Sequence, residues 1–167
     1  PDHAGALILE SPTAHTDFEA IYAAFERLGG AIAGRVARDY WSNPTPEGRQ
    51  NYFDVCLPLY ALTVPDPHVM QRMIVKNPVA MHYNGPANEQ GQFDFRAALG
   101  QVQCPALVLS GASDPIMPPP CGERLADALP NAEYHLIDGA AHMLGTDKPA
   151  TVLHLIREFI KETPYAT

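Results

Sequence analysis

The chain has 167 residues, 46% hydrophobic and 18% charged, which excludes a disordered segment and suffices for one domain with a real core. Its net charge is −8 with a pI near 5.2, and Lys and Arg form no cluster, so neither nucleic acid nor a membrane surface is expected as a partner. No apolar run approaches the roughly 20 residues of a membrane span. Cys56, Cys104 and Cys121 are odd in number and lack CxxC spacing. They read as reduced, mostly buried thiols of a cytoplasmic protein, and no metal or cofactor is expected.

In chain order, Ala4 to Leu9 (AGALIL) reads as a buried strand ended by Ser11-Pro12. Asp17 is placed to N-cap a helix with Phe18, Ile21, Tyr22, Phe25 and Leu28 on one face, and Gly29-Gly30 stops it. Ile32, Val36, Tyr40 and Trp41 mark a second helix, closed by Asn43-Pro44. Thr45-Pro46-Glu47 opens a third, with Pro at the first helical position. Pro65 to Asn77 allows a fourth, with Val69, Met70, Met73 and Ile74 as its apolar positions, and the Gly-, Asn- and Gln-rich stretch from Met81 to Gln92 reads as a linker.

The pattern then becomes regular: a helical turn over 95–99, a strand from Cys104 to Leu109, a helix from Cys121 to Leu129 and a strand from Tyr134 to Ile137. A loop through Gly145 leads to a final helix, Pro149 to Ile160, with Val152, Leu155, Ile156, Phe159 and Ile160 at helical spacing. Strand, helix, strand, helix at this spacing implies a parallel sheet, and a right-handed crossover sets the last two strands side by side. The predicted fold class is α/β, a parallel sheet with an inserted all-helical cap. Residues 1–11 and 93–167 belong to the core, and 12–92 form the cap.

Ligands bind outside the carboxyl ends of such strands. Asp114, in LVLSGASDPIMPP, follows one strand end, and His142, in IDGAAHML, follows the next. Strands about 4.8 Å apart bring such loops together. Asp before Pro is also a common turn former, and a loop histidine is often merely solvated. As a pair, they suit a carboxylate that fixes an imidazole tautomer so that the other ring nitrogen serves as a base.

CPALVLSGASDPIMPP, then a helix, then AEYHLIDGAAHML and a closing amphipathic helix resemble the C-terminal part of an α/β-hydrolase. PDHAGALILESP and the cap with CLPLY are similar to its proline iminopeptidase-like branch. The resemblance implies that Asp114 is the triad acid after the seventh strand and His142 the triad histidine after the eighth. Ala4 to Leu9 then matches the sixth strand. Ala141 stands where the family commonly has Gly.

The family's nucleophile motif, G-x-S-x-G on a strand-to-helix elbow, does not occur in the chain. Ser11 sits between Glu10 and Pro12 without the elbow's glycines, Ser110 and Ser113 share the acid's own loop, and the three cysteines lack elbow context. The expectation is therefore a nucleophile supplied by a separate or missing N-terminal hydrolase polypeptide, with this chain inactive alone. That partner would also cover the unpaired edge of the first strand. The activity implied is ester or amide hydrolysis of a small molecule or short peptide, foremost as an aminopeptidase. Carboxylesterase, lactonase, C–C bond hydrolase and a non-catalytic binding domain are the alternatives. Ile116 and Met143, beside the triad residues, and Trp41, Phe53 and Tyr60 of the cap are pocket candidates. Glu19, Glu26, Asp39 and Asp54 are cap acids available to hold a substrate amine.

Overall fold

The computed structural model describes residues 4–64, 66–72, 74 and 76–163. In chain order they form β1 (Leu7–Glu10), α1 (Phe18–Ser42), α2 (Pro46–Val55), α3 (Pro67–Gln71), α4 (Asn77–Tyr83) and α5 (Glu89–Gln92). Then follow β2 (Ala106–Gly111), α6 (Pro119–Ala128), β3 (Ala132–Ile137), α7 (Leu144–Asp147) and α8 (Pro149–Glu162). Single 3₁₀ turns cover Leu57–Tyr60 and Arg96–Gln101.

The three strands make a parallel sheet in the order β1-β2-β3. β2 is central and buried along its whole length, which is why its sequence is an unbroken apolar run without alternation. Leu107 and Leu109 pack with Ile137 against Val152 and Phe159 of α8. On the other face Ala106 and Val108 meet Leu125 and Ala126 of α6 and Leu129 just beyond it. Each fully buried leucine contributes about 1.5–3 kcal/mol of burial. β1 and β3 are the outer strands among the described residues, and Ile8 on β1 is substantially exposed.

The segment between β1 and β2 is helical. Asp17 caps α1, its Oδ1 accepting from Ala20 N at 3.1 Å. The two helices expected on either side of Gly29-Gly30 are both present within the span of α1. The helix breaks at Gly30, whose φ 77°, ψ 178° is non-helical yet open to glycine, and the second half folds back so that Arg38 reaches Glu19 at 2.8 Å. Thr45 caps α2 through its hydroxyl, which accepts from Gly48 N at 3.0 Å. Apolar positions of both helices meet in one aromatic cluster containing Phe25, Tyr40, Trp41 and Tyr52. Ile116, on the loop after β2, enters the same cluster and ties this layer to the sheet.

Two expectations are corrected. The long helix over 65–77 is only the short α3, and Ile74 is 81% exposed, so it packs on no apolar face. Met73 and the side chains of Val69 and Met70 lie outside the described residues. The stretch 81–92 is no extended linker. It is the end of α4 and all of α5, held by side-chain amides, with Met81 packed against the aromatic cluster. Asn88 Nδ2 donates to the carbonyls of Met81 and Asn84, and Gln90 Oε1 accepts from Gly85 N at 3.0 Å. The chain leaves and re-enters the sheet layer at one point, where His15 bridges Asp94 and Phe95 N donates to Ala14 O at 2.9 Å.

Candidate active site

β2 ends at Gly111 and its loop delivers Asp114 to a fully buried position. Asp114 Oδ1 accepts from the backbone N–H groups of Ile116 and Met117, both at 2.8 Å. Oδ2 lies 2.9 Å from His142 Nδ1. One oxygen thus closes the turn and the other meets the imidazole. An Nδ1–H donated to that oxygen leaves Nε2 of a neutral ring as the basic nitrogen. The His142 side chain keeps 28% of its surface open.

The loop after β3 is held against the end of β2. Ser113 N donates to Ala140 O at 2.9 Å, and Ser11 Oγ donates to His142 O at 3.1 Å. Gly111 permits this closeness: a Cβ there would stand 2.2 Å from Ala141 O and 2.8 Å from Ala140 O. From the helical layer, the Tyr60 ring meets the imidazole edge-on at 5.4 Å between centroids, and Tyr60 O accepts from Met143 N at 2.8 Å. The loop expected through Gly145 contains the short α7, whose Asp147 turns back onto the loop. Its Oδ2 accepts from Ala141 N at 2.8 Å, and its Oδ1 from Leu62 N at 2.8 Å and Thr63 N at 2.7 Å. Partial burial pushes this carboxyl's pKa up. The backbone donors and the Thr63 hydroxyl outweigh that and hold it below the usual carboxylate range.

A cavity of about 390 Å³ opens beside the histidine loop, lined by Phe53, Leu57, Pro58, Leu62, Val64 and Met143 among others. Its lining carries no charged side chain. Of the pocket candidates, Met143 and Phe53 face the cavity, and Tyr60 and Ile116 sit beside His142 and Asp114 respectively. Trp41 does not line it. Only 4% exposed, it is packed edge-on by Phe18 at 5.7 Å and against Tyr52 at 5.8 Å, inside the aromatic cluster. None of the four cap acids lines the cavity either. Glu19 pairs with Arg38 on the surface and Asp54 accepts from Gln50, and both are exposed.

Among the described residues, no serine, threonine or cysteine side chain hydrogen-bonds the His142 ring. Ser11 Oγ is spent on the histidine's carbonyl. Cys56 lies in the aromatic cluster, where burial pushes its thiol up to about 12, and burial raises Cys121 as well. No group of three potential metal ligands occurs among the described residues, and none of the described helices is long and apolar enough to cross a membrane. Gly111 and Asp147 are the two site residues that sequence reasoning missed. Gly111 resembled a turn residue, and nothing in GTDKP marks an acid that folds back onto the histidine loop.

No family model matches the chain. It is 25% identical over 152 residues to RutD of Variovorax paradoxus, a protein named as a carbamate hydrolase, a match that covers 77% of this chain and 57% of the relative. It is 35% identical over 65 residues to the proline iminopeptidase of Levilactobacillus brevis, covering 39% of this chain and 21% of that one. Among solved structures, a thermophilic esterase from Thermogutta terrifontis superposes with a TM-score of 0.64 at 26% identity, covering 97% of this chain and 57% of that chain. The chain thus spans a little over half the length of the relatives it matches most broadly. Its homologues are α/β-hydrolases, and it carries the C-terminal part of the α/β-hydrolase fold.

Proposed function

We propose that this chain supplies the acid and the histidine of a serine hydrolase that cleaves an ester or amide through an acyl-enzyme. The observation that carries the reading is the 2.9 Å contact between His142 Nδ1 and the buried Asp114 carboxylate at the ends of adjacent parallel strands. His142 Nε2 takes the proton of a serine hydroxyl as that oxygen attacks the substrate carbonyl. The imidazolium is stabilised by Asp114 and returns the proton to the leaving group. A water then repeats the sequence on the acyl-enzyme.

The serine, with its oxyanion donors, comes from a complementary hydrolase polypeptide outside this chain. Two observations support that: no described hydroxyl or thiol bonds the His142 ring, and β1 presents an open edge with Ile8 exposed. Three free cysteines fit a reducing, cytoplasmic setting. The uncharged cavity favours a substrate with a neutral apolar group, as a carboxylester has. The likeness to proline iminopeptidase favours the second reading, an aminopeptidase. That reading lacks an acid in the cavity to hold the substrate's amine.

A fluorophosphonate probe and two substrate series test this on the complete assembly. Labelling of a serine on the complementary polypeptide and faster turnover of p-nitrophenyl esters than of prolyl anilides are expected. Faster anilide turnover shifts the label to aminopeptidase. No labelling anywhere overturns catalysis in favour of a binding domain.

A further inference from the structure

Asp147 does not line the cavity and does not hydrogen-bond the His142 side chain, yet it holds the backbone on both sides of the gap between them. One oxygen takes the N–H of Ala141, the residue immediately before His142. The other takes the N–H groups of Leu62 and Thr63, which form the cavity wall. Asp147 N in turn donates to Met143 O at 3.1 Å, which fixes the carboxylate on the turn that follows the histidine. The neighbouring Met143 N to Tyr60 O bond, 2.8 Å, joins the same two segments on the other side of His142.

We propose that Asp147 is a positioning residue that sets the distance between the cavity wall at 62–63 and the histidine loop. A substrate whose apolar group seats in the cavity then presents its carbonyl to His142. This rests on the hydrolase reading above. The chemistry requires a carboxylate at this position. The three backbone partners are N–H donors and the Thr63 hydroxyl donates as well, so both oxygens must accept, and the amide nitrogen of an asparagine would face a donor. The rest of the attachment does not depend on it, because the Ala14–Phe95 neck and the packing of Ile116 in the aromatic cluster hold the helical layer to the sheet.

The test is Asp147→Asn in the complete hydrolase, assayed on p-nitrophenyl acetate and p-nitrophenyl hexanoate, with amide hydrogen exchange followed at Leu62, Thr63 and Ala141. Faster exchange at those three amides is expected. For the hexanoate, KM is expected to rise about tenfold while the acetate changes by less than about threefold, since only the longer acyl group uses the cavity wall. Asp147→Glu, which keeps the charge and both acceptor oxygens, is expected to recover part of the loss. Unchanged exchange with unchanged kinetics overturns the proposal. An equal loss on both esters, with faster exchange throughout the chain, marks general destabilisation and also overturns it. A wild-type assembly that hydrolyses nothing overturns the hydrolase reading itself and this inference with it.

Discussion

The sheet layer and the helical layer are built on different principles. β2 is a short strand whose every residue is buried, flanked by two parallel ladders and packed on both faces by aliphatic helices. Its geometry is fixed by backbone hydrogen bonds, and the loops leaving its end and that of β3 carry Asp114 and His142. The helical layer is centred on aromatic rings with polar tips that bond one another. Tyr52 and Tyr60 hydroxyls lie 2.6 Å apart, and Asn84 Nδ2 donates to the Tyr40 hydroxyl at 2.6 Å. Burial raises the Tyr52 and Tyr60 pKa values, so these hydroxyls stay neutral and act as hydrogen-bond partners only. The sheet determines where the Asp114–His142 pair stands, and the helical layer determines what shape lies beside it.

The sharpest way to break that division is on the sheet side. Asp114→Asn preserves volume but removes the acceptor that fixes the His142 tautomer. A fall in kcat of roughly 10³–10⁴-fold is expected in the complete hydrolase, with far-ultraviolet circular dichroism unchanged. Next come two core truncations that separate the layers. Phe25→Ala in the aromatic cluster is expected to cost about 3–5 kcal/mol and to raise KM, because the cavity wall rests on that cluster. Leu107→Ala under the sheet is expected to cost about 2–5 kcal/mol and leave KM unchanged, with denaturant unfolding and ester kinetics as the measurements.

Gly111→Ala probes the junction of the loops that carry Asp114 and His142. Its added methyl must displace the carbonyls of Ala140 and Ala141, so a loss of about 1–3 kcal/mol is expected, together with a lower kcat. A stable variant with wild-type kcat would show that the histidine loop is not set by this contact. The smallest effect is expected from Thr45→Ala, which removes the α2 cap. About 1 kcal/mol in thermal or denaturant unfolding, with kcat unaffected, is the anticipated result.

The sheet layer was far more legible in the sequence than the helical layer. An unbroken run such as ALVL identifies a strand buried on both faces, and a further strand reached from it through one helix lies beside it in parallel. That alone brings Asp114 and His142 to neighbouring loops, so the pair follows from order along the chain. The helical layer was readable where caps and apolar spacing agree, as at Asp17 and Thr45. It was unreadable where Asn88 and Gln90 supply the order, because such residues look the same in a loop. Trp41 shows a related limit, since spacing marks a helix's apolar face but not whether that face meets a cavity or other rings. Gly111 and Asp147 were hidden because their roles depend on which segment lies opposite, a property of three dimensions alone.

The neck at Ala14 and Phe95 has a consequence for how such a molecule changes over time. Because the helical segment departs and returns through one hydrogen-bonded point, the sheet experiences it as a single long turn. Its length and sequence are free to vary at little cost in loop-closure entropy, which grows only slowly with chain length. On the proposed hydrolase reading, substrate range is therefore exchangeable as a module, with the contacts at Asp147, Ile116 and the Met143–Tyr60 bond among those that a replacement segment must satisfy. The strands and the Asp114–His142 pair need not change when it is replaced.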